Sequence, residues 1–416
     1  MAISRYGPRV LPNTFQVIDE CQRRGDLVQG PLIAEFEDIL AKRLGGGRAI
    51  SASYGRMAFY YILKALDLPP GSEIILPALT FWVIPEMARV AGLKPVFADI
   101  DPVTFNITSE TLARAITPAT RAVVPTHLYG LACDMDPIVA IARDCNLKII
   151  EDCAHALGAT YHDRPVGTFG DAAFFSFQTL KPLNTYGGGM ALVRDPQLAK
   201  TVAALAAAEP WPHEKSVRTR LRRGRAERIF TRPDVFTWTG FPILWAASWL
   251  HARPDVYLWE SIRPLDHFPT GYAERYTNVQ AALGLENFIY MQQWTRTTQS
   301  HARILDDALK GLKGVRVPHV PPEHTHVYYQ YCVYVPDRDA LVRRCLRRGL
   351  DIETLHVDVC TQIPMFGSDH PKAPGAEQAA AAVQIPVYAS LTNRQMNEVA
   401  KIVRKVLTNS TPRPIG

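Results

Sequence analysis

Between residues 48 and 193, short apolar runs alternate with stretches of helical period, and this alternation limits the possible folds more than any other feature. "RAISASYGRMAFYYILKAL" reads as strand, glycine turn and helix. "EIILPALTFW" and "KPVFADID" read as buried strands with a helix between them. "RAVVPTHLYG", "MDPIVAIARDCN" and "LKIIEDCAHALGA" repeat strand, helix, strand. Such alternation gives an α/β fold with a mostly parallel sheet covered on both faces. Ligands then collect at the carboxyl ends of the strands.

A length of 416 residues exceeds one ordinary core, so two domains are expected. We expect an N-terminal arm over 1–30, a large domain over 31–208, an insert over 209–268, a return with a linking helix over 269–299, and a smaller C-terminal α/β domain over 300–416. "PLIAEFEDILAKRL" opens the large domain with an amphipathic helix. In the small domain, "VYYQYCVYVP", "DALVRRCLRRGL" and "DIETLHV" read strand, helix, strand, and a closing helix starts at Thr392.

The chemistry concentrates in "AAFFSFQTLKPLNTYGGGMALV", where Lys181 stands between a buried-looking strand and a glycine loop. Asp152, beside Glu151, ends the strand of "LKIIED". A strand-tip acid and a lysine after a second strand suit pyridoxal phosphate. Its aldehyde is held as a Schiff base by a lysine, and its ring nitrogen is kept protonated by an acid. On this pair alone, an ordinary loop lysine and a helix N-cap aspartate explain the residues equally well. A phosphate would find a glycine turn opening a helix at Gly55, Arg56 and Met57, with Ser176 as a further hydroxyl. Phe81 or Trp82 offers the ring a flat apolar partner.

Several classes are disfavoured. Seven scattered cysteines without a CxxC suggest neither a disulfide framework nor a zinc site, and a reducing cytoplasm fits them. No GxGxxG follows the first strand, so a dinucleotide enzyme is not indicated. Nucleic-acid binding would rest on a single arginine run, and we expect none.

The order "SYGRMAF", "LPALTFW", "KPVFADID", "VVPTHLYGLACDMDPI", "IIEDCAHALGA", "VGTFGDAAFFSFQTLK", "GGGMALV", "YTNVQAALGL" resembles the DegT-type (DegT/StrS) aminotransferases. These are fold-type-I pyridoxal phosphate enzymes that mostly aminate keto sugars of nucleotide sugars. The resemblance implies Lys181 as the Schiff-base lysine and Asp152 as partner of the pyridine nitrogen. It places Phe81 against the ring, Gly55, Arg56 and Ser176 at the phosphate, and His155 at the phenolic-oxygen side. His356 matches a small-domain histidine on the substrate side, where Tyr186 and Arg275 are also expected. It further implies a homodimer whose sites are completed by the partner subunit.

Three departures qualify it. The family's "GEGG" loop is Tyr186-Gly187-Gly188-Gly189 here, without the glutamate. In "GYAERY", Ala273 stands where the family has an asparagine that reaches the partner's cofactor phosphate, while Arg275 is kept. Arg56 replaces a small residue and could supply the lost phosphate contact, since a guanidinium binds phosphate in bidentate fashion. The third departure is the insert. Residues 215–232 hold eight Lys or Arg, and 235–250 are uncharged with three tryptophans and a proline. This fits peripheral membrane contact through 215–250, a dimer interface, or a grip on substrate phosphate, and all three stay open. The expected function is transfer of an amino group, with glutamate as donor, to a nucleotide-linked keto sugar. A lipid-linked or cyclitol ketone, another pyridoxal phosphate reaction, or a non-catalytic cofactor-binding regulator are the alternatives.

Overall fold

The computed structural model describes residues 1–7, 13–249, 261–354, 357–367 and 370–409. The alternation builds one seven-stranded sheet from β1 (Arg48–Ala52), β2 (Glu73–Pro77), β3 (Lys94–Ala98), β4 (Thr120–Val123), β5 (Lys148–Asp152), β6 (Ala172–Ser176) and β7 (Gly189–Val193). The spatial order is β1-β7-β6-β5-β4-β2-β3. All pairings from β3 through β6 are parallel. Only β7 runs against its neighbours β6 and β1. Helices cover both faces, so the central strands are apolar throughout: Ile74, Ile75, Leu76, Val123, Ile150, Phe174 and Phe175 are all buried.

Before the sheet lie α1 (Thr14–Arg24) and α2 (Leu32–Arg43). Within it come α3 (Gly55–Leu66), α4 (Val83–Val90), α5 (Ser109–Ala115) and α6 (Met135–Asp144), and after it α7 (Pro196–Ala208). The expected opening helix over 31–44 is α2, with Phe36 and Leu40 on its buried face. The insert folds as α8 (Glu214–Phe230), α9 (Pro233–Phe236) and α10 (Gly240–Trp249). α8 does not stand free. Its Val217 and Leu221 join Val17, Ile18 and Cys21 of α1 in a core separate from that of the sheet. The N-terminal arm and the insert therefore stabilise one another.

The long helix α11 (Asn278–Leu309) runs unbroken across the point where a domain change was expected. Its start packs on α1 and α2, while Ala302, Leu305 and Leu309 enter the core of the C-terminal part. That core is closed by the antiparallel pair Tyr331–Val333 and Val383–Ile385, by α12 (Arg338–Leu346), and by the last helix, whose Thr392–Gln395 capping box matches the expected start. Segment 351–357, expected as a strand, makes only one bridge among its described residues, Glu353 to Gln384. Its polar groups are used by the N-terminus instead. Asp351 forms a buried ion pair with Arg5 at 2.6 Å, and Tyr6 bonds Glu353.

Candidate active site

Lys181 sits on the loop 177–188 that joins β6 to β7. The backbone pins this loop at its neck: Phe177 N–H donates to Gly188 O at 2.9 Å, and Thr185 N–H donates back to Phe177 O at 3.0 Å. Asn287 of α11 donates to Asn184 O at 2.8 Å, and the Tyr276 hydroxyl bonds Thr185 at 3.0 Å. Lys181 itself closes a turn on Gln178 O at 2.9 Å. Its side chain enters a pocket lined by Asp152, Gly55, Arg56, Phe81, His155 and Ser176. Seven of the residues expected from sequence thus meet in one place. They come from the carboxyl ends of β5 and β6, the start of α3 and the loops beside them.

The strand pleat separates the two acids at the tip of β5. Glu151 turns inward and is saturated. Its oxygens accept N–H bonds from Gly167, Phe169 and Gly170 at 2.7–2.8 Å, and His127 Nε2 lies 3.1 Å away. His127 Nδ1 accepts from Cys133 N–H at 2.9 Å, so Nε2 carries the proton and donates to Glu151. Asp152 turns to the pocket and takes one backbone bond, from Ala154 N–H at 3.0 Å. No helix follows it, so the N-cap alternative falls away.

Burial raises the Asp152 carboxyl, while the Ala154 bond, Lys181 and His127 pull it down. Burial lowers the Lys181 amine most; the Asp152 charge opposes this and the Arg56 charge adds to it. An amine so placed is available as a neutral base nearer neutrality than a surface lysine.

At the other end of the pocket α3 begins at Gly55 without a side-chain cap, its N-terminus open to an anion. A Cβ at Gly55 would meet Phe175 O at 2.9 Å, so only glycine lets the helix start approach β6 this closely. The Arg56 guanidinium bonds the Tyr272 hydroxyl. It lies 5.4, 5.3 and 5.1 Å from the ring centres of Tyr54, Phe81 and Tyr272. Of the two aromatics offered by sequence, Phe81 lines the pocket and Trp82 is core.

Three expected substrate residues stand elsewhere or outside the described chain. Arg275 does not line the lysine pocket of its own chain: it lies 3.9 Å over Trp211 in a cavity with Glu37 and Arg48. Tyr186 lines the adjoining groove under α8 rather than the lysine pocket, because its ring is taken up by packing in the core of α1 and α8. His356 lies outside the described residues.

Thr126 of the pocket and Tyr329 beside it are among the residues missed. Thr126, just past the end of β4, has a buried hydroxyl with no hydrogen-bond partner among the described residues. Its strand-tip position was the available signal. Tyr329 stacks on His155 at 4.2 Å, and its ring centre lies 4.9 Å from Lys181 Nζ. In "VYYQYCVY" nothing distinguishes it from its neighbouring tyrosines.

A lysine on the loop after β6, facing an aspartate at the end of β5 in a sheet of this order, defines a fold-type-I aminotransferase scaffold. The sequence matches the DegT/DnrJ/EryC1/StrS aminotransferase family over residues 10–221 and 248–404, and the chain belongs to that family. GDP-perosamine synthase of Caulobacter vibrioides is 30% identical over 424 residues, covering 97% of this chain and 98% of its own. A pleiotropic regulatory protein of Geobacillus stearothermophilus is 30% identical over 408 residues, covering 96% and 95%. The solved structure of the aminotransferase TlmJ from Streptoalloteichus hindustanus superposes with a TM-score of 0.79 at 26% identity, covering 98% of this chain and all of that one.

Proposed function

We propose that this enzyme is a pyridoxal phosphate-dependent aminotransferase that moves an amino group from glutamate to the keto group of a nucleotide-linked sugar. The observation that carries the reading is the Lys181–Asp152 pair in one pocket with the open start of α3. The residues fit the cofactor. The Gly55 cradle and Arg56 suit its phosphate, and Phe81 suits one face of its ring. Asp152 suits the ring nitrogen, and the Thr126 hydroxyl, without a partner among the described residues, suits a further polar atom. When bound, pyridoxal phosphate supplies an electron sink that lets a substrate Cα proton leave. Lys181 Nζ would take that proton from the donor's Cα and deliver it two atoms along, to the cofactor's former aldehyde carbon, which its lowered pKa permits. Asp152 would keep a proton on the ring nitrogen by its negative charge, and the stacked His155 and Tyr329 would shield that side of the pocket from water. Support for the acceptor class comes from relatives named for amination of nucleotide-linked sugars, such as the UDP-2-acetamido-2-deoxy-3-oxo-D-glucuronate aminotransferase of Pseudomonas aeruginosa, 28% identical.

The test is direct. Protein loaded with the cofactor and reduced with borohydride should carry the label on Lys181. Glutamate should convert it to the amine form, and one of a panel of GDP-, UDP- and dTDP-linked keto sugars should discharge it. A label elsewhere would end the reading. Conversion by glutamate with no discharge by any sugar nucleotide would leave the lipid-linked or cyclitol ketone as acceptor. A loaded protein inert to glutamate would favour a regulator, the role in which one relative is named.

The reading extends to a homodimer and to peripheral membrane contact through 215–250. No helix among the described residues is long and apolar enough to cross a membrane. Trp238 is 84% exposed and Ile243 70%, with Trp245 and Trp249 beside them. An apolar helix flanked by the arginines of α8 suits an anionic lipid surface.

A further inference from the structure

Two residues near the lysine loop are each unfavourable alone. Tyr186 holds a left-handed backbone, φ 57°, at a loop position that suits glycine. For a bulky L-residue this conformation is sterically strained. Gly224 lies within α8, where glycine is less favourable than alanine. The structure joins the two costs. The Tyr186 ring is buried against Gly224, and any Cβ there would overlap the ring. Arg228, one turn further along α8, hydrogen-bonds the tyrosine. Asn184 Oδ1 accepts the Tyr186 N–H at 2.8 Å, so the backbone is fixed on the loop side as well. Gly224 falls within 222–247, the stretch between the two segments that match the family.

We propose that Tyr186 is the latch through which the insert holds the lysine loop shut, and that it is thereby a positioning residue for Lys181. The ring ties loop 177–188 to α8, and α8 is itself anchored to α1 through Val217 and Leu221. With the neck pinned at Phe177 and the far end at Tyr186, the turn 178–181 has one arrangement, and Lys181 points into the pocket. Releasing the latch lets loop and solvent move together, and the amine becomes exposed. This rests on the reading of Lys181 as the reacting amine.

The test uses the full-length protein without cofactor, so its outcome is independent of the reaction. Hydrogen exchange of peptides covering 177–188 and the pH dependence of Lys181 labelling by an amine reagent are both read by mass spectrometry. Tyr186→Gly should speed exchange of the loop by roughly tenfold, the loss of about one buried side-chain contact. It should also move the Lys181 labelling midpoint up by about one unit as burial is relaxed. Tyr186→Phe should restore most of the protection. Gly224→Ala should act like Tyr186→Gly, and the double variant should be no worse than Tyr186→Gly alone. A change in overall stability alone would not move the lysine midpoint. Wild-type exchange and midpoint in either single variant, or strictly additive effects in the double variant, would overturn the latch. If Tyr186→Gly does not fold, Gly224→Ala compared with Tyr186→Phe decides by the same two readouts. Failure of the aminotransferase reading would appear separately, as an unlabelled or inert wild type in the borohydride and glutamate assays.

Discussion

Removing the Arg56 side chain probes both ends of the pocket in one experiment. The guanidinium is not a loose surface group, since the Tyr272 hydroxyl and three aromatic rings hold it at the start of α3. Arg56→Ala should therefore delete one charge-assisted bond to the cofactor phosphate, about 1.5–3 kcal/mol. That is roughly ten- to a hundredfold in affinity. A second consequence reaches Lys181. The Arg56 charge helps to lower the lysine pKa, so its removal raises that pKa. At a given pH less of the amine is then neutral, and the rise of cofactor capture with pH moves to higher pH. Arg56→Lys keeps the charge but not the fork, so it should leave the pH profile in place while still weakening binding. Equilibrium dialysis of pyridoxal phosphate over a pH series measures both effects. Ala273→Asn in the Arg56→Ala background should restore part of the affinity, by returning the donor usual in the family. An Arg56→Ala protein that keeps its cofactor through dialysis as wild type does, with an unmoved pH profile, would refute the reasoning.

Lys181→Ala should abolish turnover, and Asp152→Asn should lower kcat by several orders of magnitude while weakening cofactor retention, both read by steady-state kinetics and cofactor absorbance. His326 is pushed down to about 3 by burial, and its Nδ1 accepts Tyr328 N–H at 2.9 Å, which requires the neutral ring. Its folded pKa lies below the unfolded value of about 6.5, so its contribution is complete above that pH and is lost as pH falls towards about 3. Denaturant titrations should show stability falling over this window, and His326→Asn should remove up to about 5 kcal/mol of that fall. Glu151→Ala leaves the N–H groups of buried Gly167 and of half-buried Phe169 and Gly170, and His127, without this partner. It should cost about 3 kcal/mol or more by the same titrations. If the insert meets a lipid surface, the wild type should float with anionic vesicles at low salt and Trp238→Ala/Ile243→Ala should not. A wild type that stays in the soluble fraction would leave those side chains to an interface between copies.

The sequence by itself determined the parts governed by local period and local chemistry. Apolar runs spaced by helical segments specify a mostly parallel sheet, and the strand ends then place Asp152, Lys181, Gly55 and Ser176 at one edge of it. These positions follow from two- and 3.6-residue repeats, which a single chain carries openly. Which of two adjacent acids enters the pocket depends on the pleat, and the fold turns Asp152 to the pocket and Glu151 to the loop 167–170. Tyr329 reaches Lys181 because Val327 and Gln330 N–H bond the carbonyls of Gly130 and Tyr129 beyond β4, and no pattern in a run of tyrosines encodes that approach. Arg275, expected at the substrate, stacks on Trp211 because α7 and the segment after it bring that ring beneath it. The partnership of Tyr186 with Gly224 was equally hidden. Each residue looks locally unfavourable, and only the packing of α8 on the lysine loop makes the strain of one and the missing side chain of the other a single stable contact.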